Sequence, residues 1–226
     1  MGQRAAMLLL NYFPLLHVLG TLALVSAPWN HRWERVVAGV ASIYILPPVL
    51  CRIIRLVMPL REGRIPFGSK DFMIWWTLFC LQTLFCRFPF LEELLRVVPG
   101  LYSQWLRLWG ARIGRFTYWA AGTMILDRPF LDVGDDVMLG AGVRLNPHVI
   151  ERTKDGRSEL ILATVKIGAG AMIGGYSLLT SGTEIGAGES PHAVLLCPPF
   201  TLWKEGRRVK DKAEKSDSPS LIWPSK

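Results

Sequence analysis

ILATVKIGAGAMIGGYSLLTSGTEIGAGES, residues 161–190, carries an aliphatic residue every six positions: Ile161, Ile167, Ile173, Leu179 and Ile185. Four places after each of the first four stands a compact residue, Val165, Ala171, Ser177 and Thr183. The same step runs earlier through Val133, Leu139 and Leu145, with Val137, Val143 and Val149 in the matching place. Six is neither the period of 2.0 of a simple strand nor the 3.6 of a helix; it is the repeat of a parallel β-helix, in which short strands turn a corner every hexad. The repeat starts at Ile113-Gly114 and continues through Trp119, and its ten regular hexads at three per turn make just over three coils. Glycine follows the aliphatic residue at Gly114, Gly134, Gly140, Gly168, Gly174 and Gly186, where the spacing suggests a corner needing positive φ. The beat loses register across Met124 to Asp132, breaks at ERTKDGRSEL (151–160), resumes at Ile161, and dissolves after Gly188 into what reads as a terminal cap.

Outward from the repeat, the chain becomes apolar. Mean hydropathy is +0.28 over 226 residues, high for a soluble domain. Residues 5–31 hold no Lys, Arg, Asp or Glu, and Val36–Cys51 is a second uncharged run. The first exceeds the roughly 20 residues needed to cross a hydrocarbon core and is the stronger candidate span. The second carries Pro47 and Pro48 and reaches span length only if Arg52 and Arg55 snorkel. Arg4, Arg52, Arg55, Arg61, Arg64 and Lys70 outnumber Arg32 and Arg35 between the runs, so the positive-inside rule predicts a hairpin with both ends cytoplasmic. Ser26-Ala27-Pro28 is a poor cleavage site, which argues against a signal peptide. Phe72–Cys86, with Trp75 and Trp76, is shorter and is expected at the membrane interface. In LEELLRVVPGLYSQWLRLWG, Pro99-Gly100 separates two amphipathic helices whose apolar faces carry Leu91, Leu94, Leu95 and Val98, then Leu101, Trp105 and Leu108.

These boundaries divide the chain into a helical membrane hairpin with its connector (1–70), amphipathic interfacial helices (71–110), the β-helix (111–203) and a basic tail (204–226). The net charge of +8 includes seven Lys/Arg against four Asp/Glu in the tail, which suits anionic lipid headgroups or a phosphorylated ligand. No nucleic-acid recognition module accompanies it. Cys51, Cys80, Cys86 and Cys197 form no CxxC pair and read as free thiols rather than metal ligands or disulfides.

The hexads VGDDVM, LGAGVR, LNPHVI, IGAGAM, IGGYSL and LTSGTE resemble those of the hexapeptide-repeat acyltransferases over about residues 110–210. LRLWGARIG and NPHVIE are similar, more narrowly, to the membrane-tethered terminal domains of polylysine-type nonribosomal peptide synthetases. The resemblance implies a left-handed parallel β-helix behind transmembrane and interfacial helices, a hand that the six-residue spacing does not itself give. It further implies acyl transfer from acyl-coenzyme A, with acetyl the expected group, and a homotrimer with sites between subunits, the inserted loop of one covering the next.

Moving an acyl group to a hydroxyl or amine needs a base of near-neutral pKa. His17 and His31 lie in or beside the first apolar run and His192 in the irregular cap, so His148, at the mouth of the 151–160 insertion, is the candidate general base. Glu151 is expected to orient its ring. Gly168, Gly174 and Gly175 would let the acyl donor approach the backbone closely, where N–H groups could serve as oxyanion donors, though structural corner duty is the better reading; Arg207, Arg208 and Lys210 are candidates for the donor's phosphates. Three other readings use the same fold. A non-catalytic membrane scaffold remains open. A γ-type carbonic anhydrase is disfavoured because its zinc needs three histidines and the repeat offers His148 and cap His192. A sugar-phosphate nucleotidyltransferase would need a nucleotide domain where residues 1–110 carry apolar helices.

Overall fold

The computed structural model describes residues 2–209. The first apolar run is not one rod. It forms α1 (Gly2–Asn11) and α2 (Phe13–Ser26), bent by 41° at Tyr12, with a proline in the first turn of α2. The second run, expected to be the weaker span, is the continuous one. α3 (Arg32–Val40), a π-helical turn (Ala41–Ile45) and α4 (Leu46–Val57) join into one helix of 26 residues, Arg32–Val57, the single described helix long and apolar enough to cross a membrane unaided. Only 17% of its most apolar window is buried within the chain. The wide turn has a cause: Pro47 and Pro48 lack N–H groups and crowd the carbonyls four residues back, so the ladder opens. The Tyr44 carbonyl freed opposite Pro48 accepts the Trp105 indole N–H at 2.8 Å. Against α2, the helix packs through His17 Nε2 on the Ser42 carbonyl at 2.8 Å and Thr21 on the Ser42 hydroxyl at 2.7 Å.

After strand β1 (Gly63–Pro66) comes α5 (Lys70–Arg87), whose N-terminus is capped by the Ser69 hydroxyl accepting from Phe72 N–H at 3.1 Å. Within the chain α5 is a packing hub. It touches α1, α2, α4 and β1 and buries Phe72, Trp75, Leu78, Leu81 and Phe85. α6 (Phe90–Arg96) and α7 (Leu101–Trp109) break at Pro99-Gly100 as the sequence suggests, Gly100 taking φ 79°. On α7 the buried stripe is Tyr102, Trp105, Leu106 and Trp109, whereas Leu94, Val98 and Leu101 face outward.

The repeat coils, through more turns than the regular hexads alone predict. The first turn holds β2 (Arg112–Ile113), β3 (Tyr118–Trp119) and β4 (Met124–Ile125); the second β5 (Leu131–Val133), β6 (Met138–Leu139) and β7 (Arg144–Asn146). The chain then leaves as a hairpin, β8 (His148–Arg152) and β9 (Ser158–Leu162), and returns through β10 (Val165–Ile167), β11 (Met172–Ile173), β12 (Leu178–Thr180), β13 (Glu184–Ile185), β14 (Leu196–Cys197) and β15 (Leu202–Lys204). Three parallel sheets result, β2-β5-β10-β13-β15, β3-β6-β11 and β4-β7-β12-β14. Their register stacks the hexad residues in columns: Ile113, Val133, Ile167, Ile185 and Trp203; Trp119, Leu139 and Ile173; Ile125, Leu145, Leu179 and Cys197. This interior is continuous with α5 and α7, so helices and coils share one core.

Three details differ from the reading of the repeat. Ile161, although in phase, lies in the hairpin opposite Val149, and the coil resumes at Val165. Parallel pairing persists beyond Gly188 to Trp203, and the cap is β16 (Arg207–Val209), which turns back antiparallel on β15 and covers its edge. The glycines after the aliphatic residues are not the corner residues of positive φ. That role falls two places later, on Phe116, Asp136, Gly142, Gly170 and Tyr176 among others. The preceding glycines are there because successive coils touch: a Cβ on Gly134 would stand 2.5 Å from the Ala169 nitrogen, and one on Gly168 2.4 Å from that of Ala187.

Gly134→Ala is therefore expected to destabilise the full chain by about 1–3 kcal/mol through overpacking against backbone that cannot yield. Gly20→Ala, whose added methyl meets nothing within 4 Å, is expected to leave thermal unfolding in detergent unchanged or slightly raised.

Candidate functional site

Chain geometry at Pro147 places His148. The second coil ends at Asn146, and the hairpin neck closes by pairing His148 with Leu162, while Ala163 N–H donates to the Pro147 carbonyl at 3.0 Å. β1 adds to the far edge of β9, and Glu62 beside it accepts from the Thr164 N–H and hydroxyl, both at 2.7 Å. The connector and the insertion thus form one three-stranded antiparallel sheet standing off the coils.

The imidazole of His148 is nearly buried, its side chain 13% exposed. Its Nδ1 hydrogen bonds to Oδ2 of Asp127, a carboxylate only 1% exposed. The other Asp127 oxygen, Oδ1, accepts the Trp75 indole N–H at 3.0 Å. Trp75 and Phe79 of α5 meet the imidazole edge-on, with ring centroids at 4.8 and 5.3 Å. A carboxylate on Nδ1 fixes the neutral tautomer with its hydrogen there. Nε2 has no hydrogen bond among the described residues and is not sealed from its surroundings, so it is the nitrogen left for chemistry. Burial alone would depress the imidazole pKa; the charge of Asp127 and its hydrogen bond outweigh burial and raise the pKa above the ordinary 6.5.

Asp127 is held by its neighbour. Arg128 is buried with its backbone N–H on the Gln82 side-chain oxygen at 2.7 Å and its guanidinium on Glu92, Nε at 2.7 Å. Glu92 also accepts the Tyr102 hydroxyl at 2.7 Å and Arg96 at 3.2 Å, and Arg96 in turn donates to the Thr123 carbonyl at 2.8 Å. The Arg128 guanidinium lies over the rings of Phe85, Trp105 and Trp109 at 5.3, 5.7 and 5.8 Å from their centroids, within cation–π range. So α5, α6 and α7 together fix the corner from which Asp127 projects.

Glu151 is not on the His148 ring. Three residues along an extended strand carry it about 10 Å away and onto the opposite face. It stands across the hairpin from Glu159, and its carboxylate is 3.7 Å from Arg64. Asp127 escaped the sequence reading, although one signal pointed to it. The first coil is twenty residues long, Ile125 pairing with Leu145, so Asp127 lies one coil beneath Pro147 and His148. Trp75 and Phe79 had no such signal, because nothing in the periodicity says where a helix docks. Of the glycines, Gly168 and Gly174 spend their N–H groups on the carbonyls of Ile185 and Pro191, at 2.8 and 3.1 Å, and do not serve as oxyanion donors. Gly175 lies against the Ala141 carbonyl at the next corner. Arg207 and Arg208 are on the exposed cap strand β16, and Lys210 lies outside the described residues. The four cysteines are free thiols.

No family model matches the chain, and no curated protein matches it. Among solved structures it is similar to a hexapeptide-repeat acetyltransferase of Vibrio cholerae, 16% identical over 57% of this chain and 90% of that one, with a TM-score of 0.38. A maltose O-acetyltransferase from Clostridium difficile is 20% identical over 54% of this chain and 82% of its own, at 0.35. A serine acetyltransferase of Neisseria gonorrhoeae is 16% identical over 94% of this chain and 84% of its own, at 0.28. All three are acetyltransferases by name.

Removing one partner of the buried Arg128–Glu92 pair strands the other charge. Arg128→Met is expected to destabilise the chain by about 3–5 kcal/mol in thermal or denaturant unfolding. Asp127→Asn has a pH signature. Because the folded pKa of His148 is raised, the stability that the pair contributes is complete below the ordinary histidine value and is lost as pH rises through the raised one. The stability gap between wild type and Asp127→Asn is therefore expected to narrow on going from pH 6 to pH 9, measured by unfolding at each pH.

Proposed function

We propose that the chain is a membrane-anchored acyltransferase that moves an acyl group from acyl-coenzyme A to a hydroxyl or amine. The observation that supports this is the His148–Asp127–Trp75 arrangement: an imidazole with one nitrogen fixed by a buried carboxylate and the other open, in a wall of aromatic rings. The acceptor's lone pair attacks the thioester carbonyl, and its proton passes to Nε2 of His148. When the carbon–sulfur bond breaks, that proton leaves Nε2 for the departing thiolate. Asp127 holds the tautomer and stabilises the imidazolium between these steps, and Trp75 holds Asp127. Trp75, Phe79 and the hairpin exclude water that would hydrolyse the thioester. Arg207 and Arg208 are the described residues offered to the donor's phosphates, and acetyl is the acyl group that the family resemblance favours.

The same reading places the β-helix on the cytoplasmic side, where Arg52, Arg55, Arg61, Arg64 and Lys70 cluster. It takes the left hand of the coil and a homotrimer from the resemblance. One feature of the surface supports association: Tyr118, Met138 and Met172 stand in register on the outer face of one sheet, each at least half exposed, an apolar ladder that a second copy would cover.

The test is thiol release from acetyl-coenzyme A by the purified full chain with a panel of hydroxyl and amine acceptors. His148→Ala is expected to lower kcat/KM by about 10²–10⁴. Asp127→Asn, which frees the tautomer, is expected to cost up to about 10⁴, and Glu151→Gln to stay within about twofold. Undiminished turnover in a folded His148→Ala protein would remove the reading, and no thermal stabilisation by saturating coenzyme A would favour the scaffold.

A further inference from the structure

Where the long apolar helix meets the first coil, a hollow of about 670 Å³ is lined by Arg52 of α4, Arg107 of α7 and Arg112 of β2, together with Gly114, Gly134 and Asp135. His148 is not part of it. Three arginines from three elements line it beside one carboxylate, Asp135, which already accepts the Arg115 backbone N–H at 2.6 Å. Arg107 is locked in place: Nε and Nη2 donate to the carbonyls of Ile113 and Gly114 at 2.8 and 2.9 Å. Arg112 shares Asp132 at 3.2 Å on an exposed face. Arg52 is exposed and has no hydrogen bond, ion pair or ring partner among the described residues. With Asp132 on Arg112 and Asp135 in the lining, the hollow keeps an excess of positive charge, carried by Arg52, that an anion would neutralise.

The helix fixes which anion. Val36–Cys51 is uncharged, with Arg32 and Arg35 before it and Arg52 and Arg55 after it. That run is ~24 Å long at 1.5 Å per residue, short of the ~30 Å hydrocarbon core, so the arginines at its ends stand at the two headgroup layers. Arg52 therefore lies at headgroup depth, and Arg107 and Arg112, which share its hollow, lie at the same depth. We propose that this hollow holds the phosphate of an anionic membrane lipid, gripped by Arg52, Arg107 and Arg112, and that the lipid fastens the first β-coil and α7 to the membrane surface. Guanidinium forks match phosphate oxygens in geometry as well as charge. The site does not depend on the acyl-transfer reading.

Native mass spectrometry of the full chain, extracted in a non-ionic detergent and titrated with phosphatidylglycerol or phosphatidylcholine, tests it. The wild-type chain is expected to retain one phosphatidylglycerol in preference to phosphatidylcholine. Arg52→Gln/Arg112→Gln is expected to weaken that retention by roughly fivefold per arginine removed, with phosphatidylcholine retention and lipid-free melting temperature unchanged. Arg61→Gln, outside the hollow, is expected to have no effect. Equal retention in the double variant, or equal loss in Arg61→Gln, would overturn the site. Stabilisation by soluble glycerol phosphate equal to that by the lipid would overturn the lipid as its occupant.

Discussion

One buried carboxylate joins the two halves of this molecule. Asp127 stands on a corner of the first coil, yet its two oxygens are divided between Trp75 of a helix and His148 of the inserted hairpin. A carboxylate this far from water is tolerated only if its oxygens are occupied, and here both are. The constraint runs in both directions. The helices must dock in one register for Trp75 to reach Oδ1, and the second coil must end at Asn146 for His148 to reach Oδ2. Arg128, one residue on, makes the register costly to change, because its guanidinium is paired with Glu92 and roofed by aromatic rings.

Helices that composition marks as membrane anchors therefore do more than hold the coils at a surface. α5 lends two rings to the wall around His148, and α7 covers the open edge of the first coil, with Arg107 satisfying the carbonyls of Ile113 and Gly114. The core is shared from Cys51 to Trp203. The π-helical turn before Pro47 belongs to the same scheme, since the carbonyl it frees is the one that binds Trp105.

The coil was legible in the sequence because each hexad has a local cause, a strand of two or three residues and a turn, and the columns through Val133, Leu139 and Leu145 follow directly from the period. His148 was legible as a break in that period. Its partner was not, since Glu151 is near in sequence but on the wrong face of a strand, while Asp127 is near only after one full coil. The role of the hexad glycines was misplaced for a related reason: crowding between coils at Gly134 and Gly168 is a property of stacking, which the chain read residue by residue does not display. The spans were ranked by uncharged length, which favoured residues 5–31; Pro14 breaks that run, whereas a π turn lets Arg32–Val57 continue past two prolines.

The central claim is that Asp127 sets the protonation and tautomer of His148. With four histidines in the chain, the His148 ring can be followed by NMR in selectively labelled full-length protein across pH. The account predicts a neutral ring protonated on Nδ1 and a titration midpoint above the ordinary histidine value of 6.5, moving downward in Asp127→Asn. An unshifted midpoint that is the same in both proteins would contradict it.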